Sequence, residues 1–266
     1  MQSFPEWVIF HVPHDSTVIP AEVRHQFVLD DASLMQEILK MTDHHTLDLF
    51  TRDVPDQQIV RFPISRLVVD VERFEDDAIE PMSTRGMGAI YRQTSMGEAL
   101  RYPLEINARQ ALIDDWYHPH HHKLVSLSQQ LLDKYNQVLL IDAHSFPSVP
   151  LPYEPDQQLN RPQICIGTDS FHTPKKIERA FLKQFEAAGF STALNTPFAG
   201  SLVPMPFYQI DSRVSSVMIE VNRALYCDEK TGEVTSNFDQ VARQIHDCLI
   251  SGMIDFQNKP VISLAI

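Results

Sequence analysis

The sequence predicts an α/β protein of one domain, residues 1–266, built on a mostly parallel or mixed sheet. Two observations carry this expectation. Short apolar runs rich in β-branched residues alternate with stretches of helical periodicity along the whole chain. Three of those runs also end in side chains suited to chemistry: His14 after the run at 8–13, His144 after 138–141 and Glu220 after 217–219. Open α/β sheets place their active sites at the carboxyl ends of their strands.

Taken in order, Trp7 to Val12 reads as a strand followed by the turn Pro13-His14-Asp15-Ser16. Pro20 to Leu29 leads into helical spacing at Leu34-Met35, Ile38-Leu39, Leu47 and Leu49-Phe50, with Asp43-His44-His45 polar between. Gln58 to Phe62 reads as a strand, and Leu67-Val68-Val69-Asp70-Val71 as another, flanked by Arg66 and Arg73. Residues 75–97 lack periodicity and read as a long excursion of the lid or binding-loop kind. One helix is predicted from about Arg101 to Trp116, ending before Pro119, and another from about Leu124 to Tyr135. The latter feeds Val138-Leu139-Leu140-Ile141, a buried central strand. A proline-rich loop (149–162), a strand (163–168), a helix (174–188), a short strand (192–195), a central strand (214–221) and a C-terminal amphipathic helix (238–254) complete the chain.

Composition narrows the function classes. The formal charge of −13 argues against nucleic acid, whose phosphates need a basic face, but leaves room for a small anion held by local arginines. No apolar run approaches the roughly 18 residues of a membrane span, and the N-terminus lacks the pattern of a signal peptide. Cys165, Cys227 and Cys248 are odd in number and widely spaced, as expected of reduced thiols in a cytoplasmic protein.

A single histidine at a strand end is commonly satisfied by a nearby carbonyl. Two histidines and a glutamate at three strand ends make a catalytic metal site the leading expectation. Hydrolytic zinc sites use three protein ligands from His, Asp and Glu, leaving a position for water. His14 and His144 supply two, and Asp43 is the first choice for the third, with Glu72 and Asp142 in reserve. Asp43 reads equally well as a helix-face carboxylate. Glu220 suits proton transfer, with a structural pair to Arg223 as its rival reading. Arg66 and Arg73 suit oxyanion stabilisation and carboxylate recognition, or surface pairing with Asp70, Glu72 and Glu75.

Six stretches together resemble the N-formylglutamate amidohydrolase family. They are Pro13-His14-Asp15-Ser16, residues 65–73 (SRLVVDVER), Pro119-His120-His121, residues 141–145 (IDAHS), residues 195–200 (NTPFAG) and residues 219–226 (IEVNRALY). They occur in that family's order over most of the chain. Glu72 stands where the family usually carries asparagine. The family in turn is similar to the zinc carboxypeptidase and aspartoacylase group. The resemblance implies a three-layer α/β/α fold of the phosphorylase/hydrolase type and a zinc ion held by His144. It also implies Glu220 as base and arginines on the substrate carboxylate.

The reading that follows is a zinc-dependent amidohydrolase acting on a small anionic N-acylated amino acid, N-formyl-L-glutamate or a relative. Zn2+ would sit on His14, Asp43 and His144. Glu220 and Arg66 would be catalytic. Arg73, His121, Asn222, Arg223 and Gly200 would surround the substrate. The rival readings are a carboxypeptidase-like hydrolase of a short peptide or cell-wall fragment, and a non-catalytic binder that keeps the pocket.

Overall fold

Val138–Phe146 is a strand with every residue buried, and its alternation decides the architecture. Leu139, Ile141 and Ala143 face one apolar cluster, whereas Val138 and Leu140 face another on the opposite side. Such a strand needs a helical layer on each face.

The structure, a computed structural model, describes residues 3–257. In chain order its elements are β1 (Val8–Val12), α1 (Asp31–Met41), α2 (Thr46–Phe50), β2 (Ile59–Arg61), α3 (Ile106–Leu112), α4 (His118–Tyr135) and β3 (Val138–Phe146). They continue with β4 (Ile164–Gly167), α5 (Lys175–Ala187), β5 (Thr192–Leu194), β6 (Val214–Asn222) and α6 (Phe238–Gln257). The sheet runs β2-β1-β3-β6-β4-β5. β2, β1, β3 and β6 are mutually parallel, and β4 joins β6 antiparallel, so the sheet is mixed and mostly parallel.

One face packs on α5 and α6 through Phe10, Ile141, Val217 and Ile219 against Ile177, Phe181, Ile245 and Leu249. Gly252 brings α6 close to α5, since a Cβ there would lie 2.5 Å from a ring carbon of Phe181. The other face packs Ile9, Val60 and Leu140 on Leu124 and Leu132 of α4. Asp30 caps α1 by accepting from the Ser33 backbone N–H, an interaction that contributes about 1 kcal/mol. That helix ends at Met41, and the short break before α2 is where Asp43 lies.

Two expectations are corrected. Residues 65–73 form no strand. They fold as consecutive turns, with Val68 N–H on Ser65 O and Asp70 N–H on Ala89 O. The apolar run there is real, because Leu67, Val68, Val69 and Val71 are buried in a third cluster beneath the 75–97 excursion. Burial of a short run does not by itself distinguish a strand from a buried turn.

Nor does Pro119 separate two helices. A π turn at Ile113–Tyr117 joins α3 to α4, with the His118 N–H reaching back to Ile113 O. The widened turn accommodates a proline whose ring would crowd an ordinary helical turn.

Candidate active site at the ends of three parallel strands

The α4-facing side of the sheet changes character along its strands. Ile9 and Leu140 are followed, two residues on, by His11 and Asp142, and then by His144. Register fixes their neighbours: His11 lies beside Asp142, and His144 beside Glu220. Four functional groups therefore share one face at the carboxyl ends of β1, β3 and β6. Loops bring the others to the same place.

His14 Nδ1 lies 3.7 Å from Asp43 Oδ2, and His144 Nδ1 lies 3.1 Å from the same oxygen. Their remaining ring nitrogens are held by buried carboxylates. His14 Nε2 is 2.9 Å from Asp70 Oδ1, and His144 Nε2 is 3.1 Å from Asp142 Oδ1. Each carboxylate thus fixes a ring with Nδ1 aimed at Asp43, the arrangement that supports metal-binding histidines. His14 Nδ1 is buried and makes no hydrogen bond. The donor atoms of His14, Asp43 and His144 all lie within 4.8 Å of one another. Tetrahedral zinc ligands at about 2.0–2.2 Å stand about 3.3–3.6 Å apart, so a small contraction closes this set around a cation.

Electrostatics fits the same reading. Burial opposes ionisation of Asp43, but the imidazoles of His14 and His144 outweigh it and hold its carboxyl well below the ordinary range. Burial likewise opposes charge on His144, yet Asp142 and Asp43 raise its pKa well above that of free imidazole.

Glu220 is 7% exposed, and its Oε2 makes no hydrogen bond. Burial pushes its pKa up to about 8, against the pull of His144, Arg223 and Arg66. A carboxyl that changes charge near neutral pH can both accept and return a proton.

Asp70 organises the loop side. Its carboxylate accepts from His14 Nε2, from Arg66 Nη2 at 2.8 Å, from the Tyr91 hydroxyl at 2.5 Å and from the Glu72 N–H at 2.9 Å. Arg66 also donates to the Tyr91 oxygen, and its Nη1 lies 3.9 Å from Asp43 Oδ1. The guanidinium of Arg73 makes no hydrogen bond among the described residues and approaches Asp70 only to 3.7 Å.

The family model for N-formylglutamate amidohydrolase matches residues 7–227, most of the chain. The chain belongs to that family. Its members are hydrolases acting on amide bonds. Two solved structures share the fold. The N-formylglutamate amidohydrolase from Ralstonia eutropha JMP134 is 20% identical with a TM-score of 0.76, over 94% of this chain and 92% of that one. A gene product from Agrobacterium tumefaciens is 18% identical with a TM-score of 0.70, over 95% of this chain and 92% of that one. No curated protein matches in sequence.

Of the amidohydrolase residues named from sequence, His14, Asp43, His144, Glu220 and Arg66 come together as described, with Arg73 bordering them through Asp70. Arg223 approaches from the opposite side of Asp43. It donates to Asp43 Oδ1, to Ser145 Oγ and O, and to Lys40 O, which makes it a brace for the Asp43 segment. Asn222 caps the turn after β6, accepting from Ala224 N–H and donating to Pro162 O. His121 stacks on Tyr117 with ring centroids 4.2 Å apart, and burial lowers its pKa to about 4. Gly200, at φ +94°, turns the loop that delivers the Leu202 N–H to Asp142 Oδ2.

Two groups escaped the sequence reading. His11 Nδ1 lies 2.9 Å from Asp142 and 3.1 Å from Glu72, and its Nε2 lies 2.8 Å from His120 Nε2. Asp70, read as surface charge, is fully buried. The available signal was the two-residue spacing of Asp142 and His144, which puts both on one strand face and demands partners there.

Proposed function

We propose that the chain is a zinc-dependent amidohydrolase that cleaves N-formyl-L-glutamate to formate and L-glutamate in the cytoplasm. The observation that carries this reading is the pair of carboxylate-held histidines, both aiming Nδ1 at Asp43, beside a buried carboxyl without a hydrogen bond at Oε2. His14, Asp43 and His144 hold the ion. When bound, zinc supplies Lewis acidity, lowering the pKa of water toward neutrality and polarising a carbonyl.

The chain's own groups do the rest. Glu220 takes one proton from the attacking water and passes it to the departing amine nitrogen, while the oxygen joins the formyl carbon. Arg66, locked by Asp70 and Tyr91, presents Nη1 to the carbonyl oxygen as negative charge grows there. Arg73, free of hydrogen bonds among the described residues, pairs with a substrate carboxylate. His121, Asn222 and Gly200 shape the surrounding wall, and Arg223 keeps Asp43 in place.

The test combines elemental analysis of the purified protein with an assay of amine release from N-formyl-L-glutamate and a panel of other N-acyl amino acids. Bound zinc with preferential turnover of the formyl compound supports the reading. A metal-free protein that hydrolyses none of the panel would leave the non-catalytic binder.

A further inference from the structure

Beyond His144 lies a second group with the composition of a metal site. His11 comes from the end of β1, Asp142 from β3, and Glu72 from the turn after Asp70. Their donor atoms lie within 4.8 Å of one another, and His11 and Asp142 are fully buried. His11 Nδ1 is 2.9 Å from Asp142 Oδ1 and 3.1 Å from Glu72 Oε1. Despite that distance, Glu72 Oε1 is buried and makes no hydrogen bond.

Charge balance points the same way. Among the described residues, Glu72 and Asp142 pair with no lysine or arginine, only with His11 and His144. A fully buried carboxylate beside one that is 15% exposed needs compensation. A divalent ion lying between them supplies it.

Where carboxylates hold the far ring nitrogens at the first group, an imidazole does so here. His11 Nε2 rests 2.8 Å from His120 Nε2, so an Nε2–H on His11 has an acceptor and its Nδ1 lone pair faces the two carboxylates. His120 is itself wedged edge-on against Phe62.

We infer that His11, Glu72 and Asp142 hold a second zinc ion, so that the site is a two-metal centre with the His144 imidazole between the ions. The inference rests on the proposed first site only in taking the ion to be zinc. It also assigns Asp142 two roles, as ligand through Oδ1 and as acceptor for His144 Nε2–H at 3.1 Å.

The experiment is zinc stoichiometry on the full chain. The protein is stripped with chelator, titrated with Zn2+ by calorimetry, desalted and analysed for zinc by mass spectrometry. The wild type should hold two equivalents. Glu72→Gln and His11→Asn should each hold one, and Asp43→Asn should also hold one, from the other side. Circular dichroism checks that each variant is folded. A wild type saturating at one equivalent overturns the inference, even if every variant misfolds. So does a folded Glu72→Gln protein that still holds two, since the second ion then lies elsewhere, for instance on the exposed His118 and His122. If Asp43→Asn keeps two equivalents while Glu72→Gln loses one, the second site stands and the first assignment fails.

Discussion

The site is made of two kinds of part. His11, Asp142, His144 and Glu220 stand on adjoining parallel strands, where register alone sets their spacing. His14, Asp43, Arg66, Asp70, Glu72 and Arg73 come from turns and from the break between α1 and α2. Those segments owe their positions to hydrogen bonds instead. Asp43 N–H donates to His14 O, Arg223 grips Asp43 Oδ1, and the Asp70 carboxylate ties His14, Arg66, Tyr91 and the backbone of Glu72 together. A loop can position chemistry as firmly as a strand when a buried charge holds it. The difference is how each fails: losing His144 or Glu220 removes one group, whereas losing a buried hub such as Asp70 disturbs several residues together.

That contrast can be broken from the strand side first. His144→Ala should abolish activity and remove zinc from the first site while the far-ultraviolet circular dichroism stays native, because β3 keeps its ladder. Zinc content unchanged from wild type would remove His144 from the ligand set. Glu220→Gln should lower kcat by about 10²–10⁴ with zinc retained and KM little altered, as loss of an acid–base group does. Steady-state kinetics with metal analysis decides between that and a merely structural carboxyl, which would instead lower Tm at normal kcat.

The loop side yields smaller and more distributed effects. Arg73→Ala should raise KM for N-formyl-L-glutamate by the equivalent of about 1.5–3 kcal/mol, the range for a hydrogen bond to a charged group. Its turnover of a neutral N-formyl amide should change little, and equal losses on both substrates would refute the carboxylate role. Asp70→Asn should weaken zinc binding about 10–100-fold, because it loosens the grip on His14 Nε2. It should also lower Tm, since Arg66 loses its buried partner. Competition against a chelator of known affinity measures the first effect and calorimetry the second.

Much of this was legible in the sequence. The central strand, the polar residues at its end and the glutamate of β6 could be read because burial on both faces leaves an uninterrupted apolar run. Asp43 was legible as a polar break in a helical pattern. What stayed hidden depends on neighbours distant in sequence. His11 looks like any strand residue until register sets it beside Asp142. Asp70 sits among Arg66, Glu72 and Arg73, a composition equally suited to a solvated surface, and only the packing of the excursion over it buries it. The turns at 65–73 mimic a strand because burial, and not extended backbone, selected their side chains.

The π turn at Ile113–Tyr117 acts as a phase shifter. A residue added to one turn of a helix with 3.6 residues per turn sets everything after it back by about 100°. Leu112, before the turn, and Ile113, its first residue, face the cluster beneath the excursion; after it, Leu124 and Leu132 face the sheet. His120 belongs to the rotated part, and it meets His11 because of that offset. One rod thereby serves two cores, and the chemistry beside β1 is timed by a single extra residue five positions or so upstream.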